Sequence, residues 1–346
     1  MRRKLLIAVS ALILLVIIGS AGFGIWLWRE LQTPYYHSTG KETFVEIPRG
    51  ANSKEIAGLL VDAGILHSKF PFMVYIRFAD LSRTIQAGEY RFDQAAPPVQ
   101  IAQRLARGDV YYIPITVPEG LTAQETIDLL LKNGLGNPVE MERVLHHVDW
   151  IRDLAPNARN LEGYLFPETY RFSRNADSDT IIKTMVLQFR SKLTEALKQY
   201  PLRPGWDVSR IVTLASMIEK EVQKPEEAPL VASALTNRLE KRMPLACDAT
   251  IIYAMKLAGI YEGRLGKADL KMPSPYNTYL HLDLPPGPIA NPGMNSLRAA
   301  LNPAKTDYLY YVSRNDGTHQ FSRDYRSHVN AVDRYQKSIA RRRSKR

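Results

Sequence analysis

The sequence predicts an α+β protein: one N-terminal membrane-spanning helix, then a small α/β module, then a larger domain of mixed helix and strand. Three observations predict it. An uncharged apolar run opens the chain, a strand-turn-helix pattern recurs at an offset of 70 residues, and beyond about residue 140 long amphipathic helical patterns alternate with irregular loops. At 346 residues and 45% hydrophobic, the chain is long enough for two ordinary domains beside a membrane segment.

Leu5 to Trp28 runs 24 residues without a charged side chain. As a helix it would be about 36 Å long at 1.5 Å per residue, enough to cross a hydrocarbon core of about 30 Å with some tilt. A cleaved signal peptide has a shorter apolar stretch and a small-residue exit site, whereas this run ends in Gly24-Ile25-Trp26-Leu27-Trp28, so it reads as a retained anchor. Arg2, Arg3 and Lys4 precede it, and Arg29 beside Glu30 follows it. That asymmetry keeps residues 1–4 in the cytoplasm and exports the body, with Trp26 and Trp28 at the outer interface. Residues 29–42 read as a polar, turn-rich linker.

The net charge of +11 sits mostly at the ends: Arg2, Arg3 and Lys4, and a basic tail over 341–346 with Arg341, Arg342, Arg343, Lys345 and Arg346. The body is nearly balanced, so nucleic acid is not an expected partner. Cys247 is the one cysteine, which excludes an internal disulfide, and its apolar flank suits a small core residue. Neither CxxC nor HExxH occurs, and the adjacent His146 and His147, like His319 and His328, lack metal-site spacing, so no metal or other cofactor is implied.

The first folded unit spans residues 43–112. Phe44-Val45-Glu46-Ile47 has strand character, Pro48-Arg49-Gly50 turns, and Asn52 or Ser53 can cap a helix carrying Ile56, Leu59 and Leu60 and stopped by Gly64. Gly88 to Phe92 reads as a strand, and Val99 to Leu105 as a short helix ending at Gly108. At an offset of 70 the pattern recurs: Val117-Pro118-Glu119-Gly120, Glu125, Leu129-Leu130 and Gly134-Leu135 repeat Ile47-Pro48-Arg49-Gly50, Glu55, Leu59-Leu60 and Gly64-Ile65. This places a second strand-turn-helix unit over 113–155, at the start of a domain spanning 113–340. The succession of a strand, helices and a returning strand in the first unit resembles LysM, a small glycan-binding module; the resemblance implies either sugar contact or a spacer role.

Further on, helices are expected over Asp177–Tyr200, Asp207–Gln223 and Pro229–Arg242, and the stretch 265–303 is a long loop rich in Pro, Gly and Asn. The second of these helices carries Ile211, Leu214, Ala215, Ile218 and Val222 as one apolar stripe, with Glu219 and Glu221 on its opposite margins. A carboxylate at such a margin loses hydration, which favours the protonated form that a general acid needs. One turn before Glu219 stand the small residues Ala215 and Ser216, leaving room for a ligand, while Glu221 follows Met217, so spacing leans toward Glu219 without deciding.

Leu214-Ala215-Ser216-Met217-Ile218-Glu219-Lys220-Glu221 resembles the signature helix of the endolytic murein transglycosylases, the MltG or YceG-like family. So do Asn237-Arg238-Leu239, Asp248-Ala249-Thr250, Ser274-Pro275-Tyr276-Asn277-Thr278-Tyr279, the run Leu284 to Gly293, and the later strings around Tyr308 and His319, covering residues 43 to 335. Asn160 to Tyr170 resembles a further family segment. One departure is Ala249, where the family usually has proline between Asp248 and Thr250.

The resemblance implies a lytic transglycosylase with the first Glu of Glu-Lys-Glu, Glu219, as its catalytic acid and base, and 1,6-anhydro-N-acetylmuramic acid ends as products. A true glycoside hydrolase generally needs two carboxylates, whereas here a tethered C6 hydroxyl replaces water, so one suffices. Tyr276, Asn277, Thr278 and Tyr279 are candidate sugar contacts. Asp248 and Glu162 are candidates for the groove wall, and either could serve as a second carboxylate in a muramidase. The expected partners are peptidoglycan strands, the inner membrane and peptidoglycan synthases; a non-catalytic wall scaffold is the competing reading.

Overall fold

The computed structural model describes residues 2–36 and 42–337, so the basic tail at 341–346 and the middle of the linker lie outside the described residues. The chain divides into two compact units, Met1–Ile113 and Pro114–Arg346.

In the first unit, α1 (Arg2–Gln32) includes a span from Leu6 to Gln32 whose mean hydropathy reaches 2.6 and whose apolar window has no buried residue. The helix therefore runs through Arg29–Gln32, which the sequence assigned to the linker. No proline or glycine interrupts those four residues, so nothing ends the helix at Trp28. Trp26 lies against Phe70 with ring centroids 6.4 Å apart. The module that follows is β1 (Thr43–Ile47), α2 (Ser53–Asp62), α3 (Lys69–Phe78), β2 (Gly88–Phe92) and α4 (Pro98–Arg107). Strands β1 and β2 pair antiparallel, Val45 opposite Tyr90, and their inward residues close over Leu60, Phe72, Ile101 and Leu105, all fully buried. Burial of side chains of this size contributes roughly 1.5–3 kcal/mol each.

The second unit opens on a copy of this plan. β3 (Ile113–Thr116), α5 (Ala123–Lys132), α6 (Pro138–Leu145) and β4 (Thr169–Phe172) follow in order, and β3 pairs with β4. The match extends to fine geometry. Gly50 and Gly120 turn at φ +77° and +78°, and Gly64 and Gly134 at +71° and +73°. Asn52 with Glu55, and Thr122 with Glu125, each form a reciprocal cap in which the first side chain accepts an N–H of the helix and the glutamate accepts the cap's own N–H. The repeat thus extends past residue 155 to Phe172, with an inserted segment between α6 and β4 that carries Glu162.

Beyond it come α7 (Ser178–Gln199), α8 (Val208–Glu221), α9 (Ala228–Glu240), α10 (Asp248–Leu257), α11 (Met294–Leu301), the hairpin β5 (Tyr310–Ser313) with β6 (His319–Ser322), and α12 (Tyr325–Val332). Asp177 and Asp207 cap α7 and α8 by accepting N–H groups of Thr180 and Arg210. Helix α8 is buried on more than the one stripe expected: Ile211 to Ile218 are all buried. Its polar members conform because Thr213 donates to Ser209 O and Ser216 to Thr213 O. Short α11, inside the stretch expected to be loop, begins at Gly293 without a side-chain cap, so the sequence carries no signal for its start.

A strap from Ile289 to Gly293 binds these parts together. Asn291 is 1% exposed. Its N–H donates to Leu121 O at 2.8 Å and its carbonyl accepts Gly120 N–H at 3.0 Å. The side chain accepts Leu165 N–H and donates to Leu121 O, both at 3.0 Å. Replacing Asn291 by Ala strands a buried N–H on Leu165, and we expect a loss of about 2–4 kcal/mol, read as a lowered denaturant midpoint with an unchanged slope.

Candidate active site

Glu219 and Glu221 close helix α8, and residues two apart on an α-helix point about 200° from each other. The two carboxylates therefore meet different surroundings.

Glu219, half-buried, faces the strap: its Oε2 accepts Gly293 N–H at 2.9 Å. Its Oε1 has no partner among the described residues and reaches solvent. Next to it Lys220 Nζ donates to Gly120 O at 2.9 Å, fastening α8 to the turn of the second copy. The exposed Glu119 of that turn lies over Gly293 so closely that a Cβ there would collide with its carboxyl. Burial, and then the charge of Glu219, push the Glu119 pKa up. Sequence reasoning missed Glu119; the available signal was its position in the repeat, where the first copy has Arg49.

The space expected beside Ala215 and Ser216 is filled. Both are fully buried, and Ser216 Oγ accepts Ile289 N–H at 3.0 Å, so the small residues admit the strap's backbone, not a ligand. Gly163 serves the same end, since a Cβ there would come within 2.4 Å of Pro288.

Glu221 faces the start of α10, the loop 274–279 and the β5–β6 hairpin. Its Oε1 accepts the Cys247 thiol at 3.0 Å, with the Tyr311 hydroxyl beside it. Glu221 is half-buried as a residue, yet its carboxyl is deep enough for burial to push the pKa up. Cys247, His319 and Tyr311 oppose that rise, and the charge of Asp248 adds to it. Asp248 is exposed at the first turn of α10 and accepts the Tyr279 hydroxyl at 2.5 Å. His319 is oriented from behind, its Nδ1 lying 2.7 Å from Glu227. Cys247 is buried as its flank suggested, but its thiol points at an acid, which no sequence signal announced. Ala249 at the second position of α10 replaces a proline that would be tolerated there, so the helix start survives the departure.

The loop residues divide by role. Asn277 and Thr278 are 0% and 1% exposed. Asn277 Nδ2 donates to Leu270 O and Met272 O, and its Oδ1 accepts Tyr279 N–H. Thr278 accepts Cys247 N–H at 3.0 Å and bonds Thr250 at 2.9 Å. Both shape the loop and hold the end of α10, while Tyr276 and Tyr279 remain half-buried at its surface. Glu162, 6% exposed, accepts Ala123 N–H at 3.0 Å and the Tyr253 hydroxyl at 3.2 Å, with the Tyr276 ring tilted against that of Tyr253. Burial pushes its pKa up to about 8.

Two cavities of about 500 and 660 Å³, the first beside Thr236 and Asn237 and the second beside Tyr308 and Phe321, contain neither glutamate of α8. The carboxylates instead border the surface through Glu119 and Asp248. Among the described residues no group of three or more His, Cys, Asp or Glu is placed to hold a metal ion.

The profile of the YceG-like family matches residues 45–334. The chain belongs to the YceG-like family. A Bacillus subtilis (strain 168) protein named endolytic murein transglycosylase is 33% identical over 326 residues, 89% of this chain and 88% of that protein. A relative of the same name from Streptococcus pneumoniae serotype 2 (strain D39) is 26% identical over 342 residues; they are 88% of this chain but 60% of that longer protein. The crystal structure of a yceG-like protein from Listeria monocytogenes superposes with a TM-score of 0.56 at 28% identity, covering 85% of this chain and 99% of that one.

Within this member of the family, Glu162 supplies a test of the buried geometry. The unfolded chain releases its carboxyl proton near pH 4.5, while the native state keeps it to about pH 8. Stability is therefore highest below the unfolded value and declines as pH rises toward the folded one. Glu162→Gln should gain stability relative to the parent between about pH 4 and about pH 8, by the order of 4 kcal/mol, read as a widening difference in melting temperature by calorimetry across that range.

Proposed function

We propose that this YceG-like chain is a membrane-anchored endolytic lytic transglycosylase that cleaves the MurNAc–GlcNAc bond of peptidoglycan and leaves 1,6-anhydroMurNAc ends. The observation that carries the reading is the setting of Glu219: a half-buried carboxylate closing a buried helix, one oxygen fixed by Gly293 N–H and the other open to solvent. The name shared by the relatives supports the activity.

The family resemblance favours Glu219 as the acid, and we keep the role there because its second oxygen reaches solvent, where a glycosidic oxygen can meet it. Glu221, by contrast, is enclosed and bonded to the Cys247 thiol, with Tyr311 beside it. Glu119 stands next to Glu219 as a second carboxyl at the same surface.

Protonated Glu219 gives its proton to the glycosidic oxygen as the C1–O bond breaks. Its carboxylate then takes the proton of the C6 hydroxyl as O6 closes on C1. No water is consumed and the enzyme ends protonated as it began. Tyr279, bonded to Asp248, and the Tyr276 ring offer contacts for neighbouring sugars. A hydrolytic muramidase is the second reading, with Glu119 as its extra carboxylate. Glu162 is poorly suited to that part, being enclosed and bonded to Ala123 and Tyr253.

The uncharged length of α1 and the basic residues before it support an anchor with the N-terminus in the cytoplasm and the body outside. A short linker then keeps cleavage close to the membrane, where nascent strands and their synthases meet. The chemistry uses side chains alone and calls for no cofactor.

Glu219→Gln is expected to abolish release of anhydro-ended muropeptides, a loss of about 10²–10⁴-fold, while Glu221→Gln stays within about tenfold of the parent. Mass spectrometry of the products decides. The reverse order moves the role to Glu221, reducing ends indicate a muramidase, and no products from the parent indicate a scaffold.

A further inference from the structure

The two copies of the βααβ plan share one turn but not its use. In the second copy the turn grips an extended segment of the same chain: Gly120 N–H donates to Asn291 O at 3.0 Å and Leu121 O accepts Asn291 N–H at 2.8 Å. A carboxylate completes the grip, since Ala123 N–H at the start of α5 donates to Glu162 at 3.0 Å. Gly120, Thr122 and Ala123 are buried as a result.

In the first copy the same atoms are presented with the same backbone geometry and nothing on them. Gly50 and Asn52 are exposed, with Ala51 and Ser53 half-buried between and beside them. Among the described residues the turn's own closure, Ala51 N–H to Pro48 O, is the one bond made there outside the cap, and no group meets Gly50 N–H, Ala51 O or Ser53 N–H. The turn opens onto a cavity of about 750 Å³, with Arg49, Lys54 and Lys69 on its walls against Glu55 and Asp62. Glu55 is already held by Asn52 N–H at 2.9 Å. Where the second copy carries Glu119, the first carries Arg49.

We propose that this face of the first copy clasps an extended acidic peptide segment of a partner protein. Its main chain would bond Gly50 N–H and Ala51 O as Asn291 bonds their counterparts, and its carboxylate would take Ser53 N–H as Glu162 takes that of Ala123. The second copy identifies the occupant as peptide. The excess of cations, the reversal at position 49 and the helix N-terminus identify it as acidic.

The experiment uses the full chain in detergent micelles and two fluorescein-labelled peptides built on the strap. One is Glu-Pro-Ile-Ala-Asn-Pro-Gly-Glu and the other has Gln in place of both glutamates. Ser53→Pro removes the N–H in question, together with the side-chain hydroxyl, and leaves the helix start intact, since proline is favoured at the first helical position and Asn52 at ψ 164° suits a following proline. Arg49→Glu reverses an exposed charge. The acidic peptide should bind saturably by fluorescence polarisation, and each substitution should weaken it about tenfold. Both variants should cleave glycan at the parent rate, which separates this result from the fate of the active-site assignment. Absence of saturable binding, equal binding of the two peptides, or binding that neither substitution weakens overturns the proposal. So does a tetramer of N-acetylglucosamine that binds with the same sensitivity while the peptide does not, which would make the face a sugar site.

Discussion

The strap at Asn291 is the interaction on which the larger unit depends. Through one buried residue it ties the turn of the second βααβ copy, the inserted segment at Leu165 and the start of α11 into one piece. Ser216 then anchors the neighbouring Ile289 to α8. An amide can accept from one backbone group and donate to another at the same time, so no apolar side chain could replace it without leaving buried polar atoms unmatched. The strap thereby fills the side of α8 that carries Ser216.

Helical geometry sets the two carboxyls of α8 apart. A separation of two residues turns a side chain more than half-way round the axis, so Glu219 and Glu221 are near neighbours in the chain and nearly opposed in space. Around Glu221 gather Cys247 and Asp248, Tyr279, Tyr311, and His319 with its partner Glu227. Withdrawal from water and the charge of Asp248 push its pKa up, while the thiol, the imidazole and the phenol restrain the rise. Glu219 instead keeps one oxygen on Gly293 N–H and the other open to solvent.

Duplication explains the architecture around this centre. One copy of the plan has been absorbed into the larger unit, its turn and helix start covered by Asn291, Lys220 and Glu162. The other keeps the same turn uncovered and carries arginine where its sibling carries glutamate. Sharing the φ angles of their turn glycines to within about two degrees while differing in burial, the copies behave as one scaffold put to two uses.

Local rules made much of this legible in the residues themselves. The uncharged run of α1, the helix starts at Asp177 and Asp207, the glycine turns and the repeat at an offset of 70 all depend on neighbours in the chain, and each is present. The family strings likewise named Asp248, Tyr276 and Tyr279 as residues of interest. What they could not reveal was which face of α8 would be closed, because Ile289 to Gly293 lies more than 70 residues downstream and its path is set by hydrogen bonds, not by periodicity. For the same reason Asn277 and Thr278 look like ligand contacts in the string and prove to be the loop's own supports. The sequence by itself determined the segments and the chemical groups; the tertiary structure alone decided which carboxylate is desolvated beside Asp248, since that depends on contacts between residues far apart in the chain.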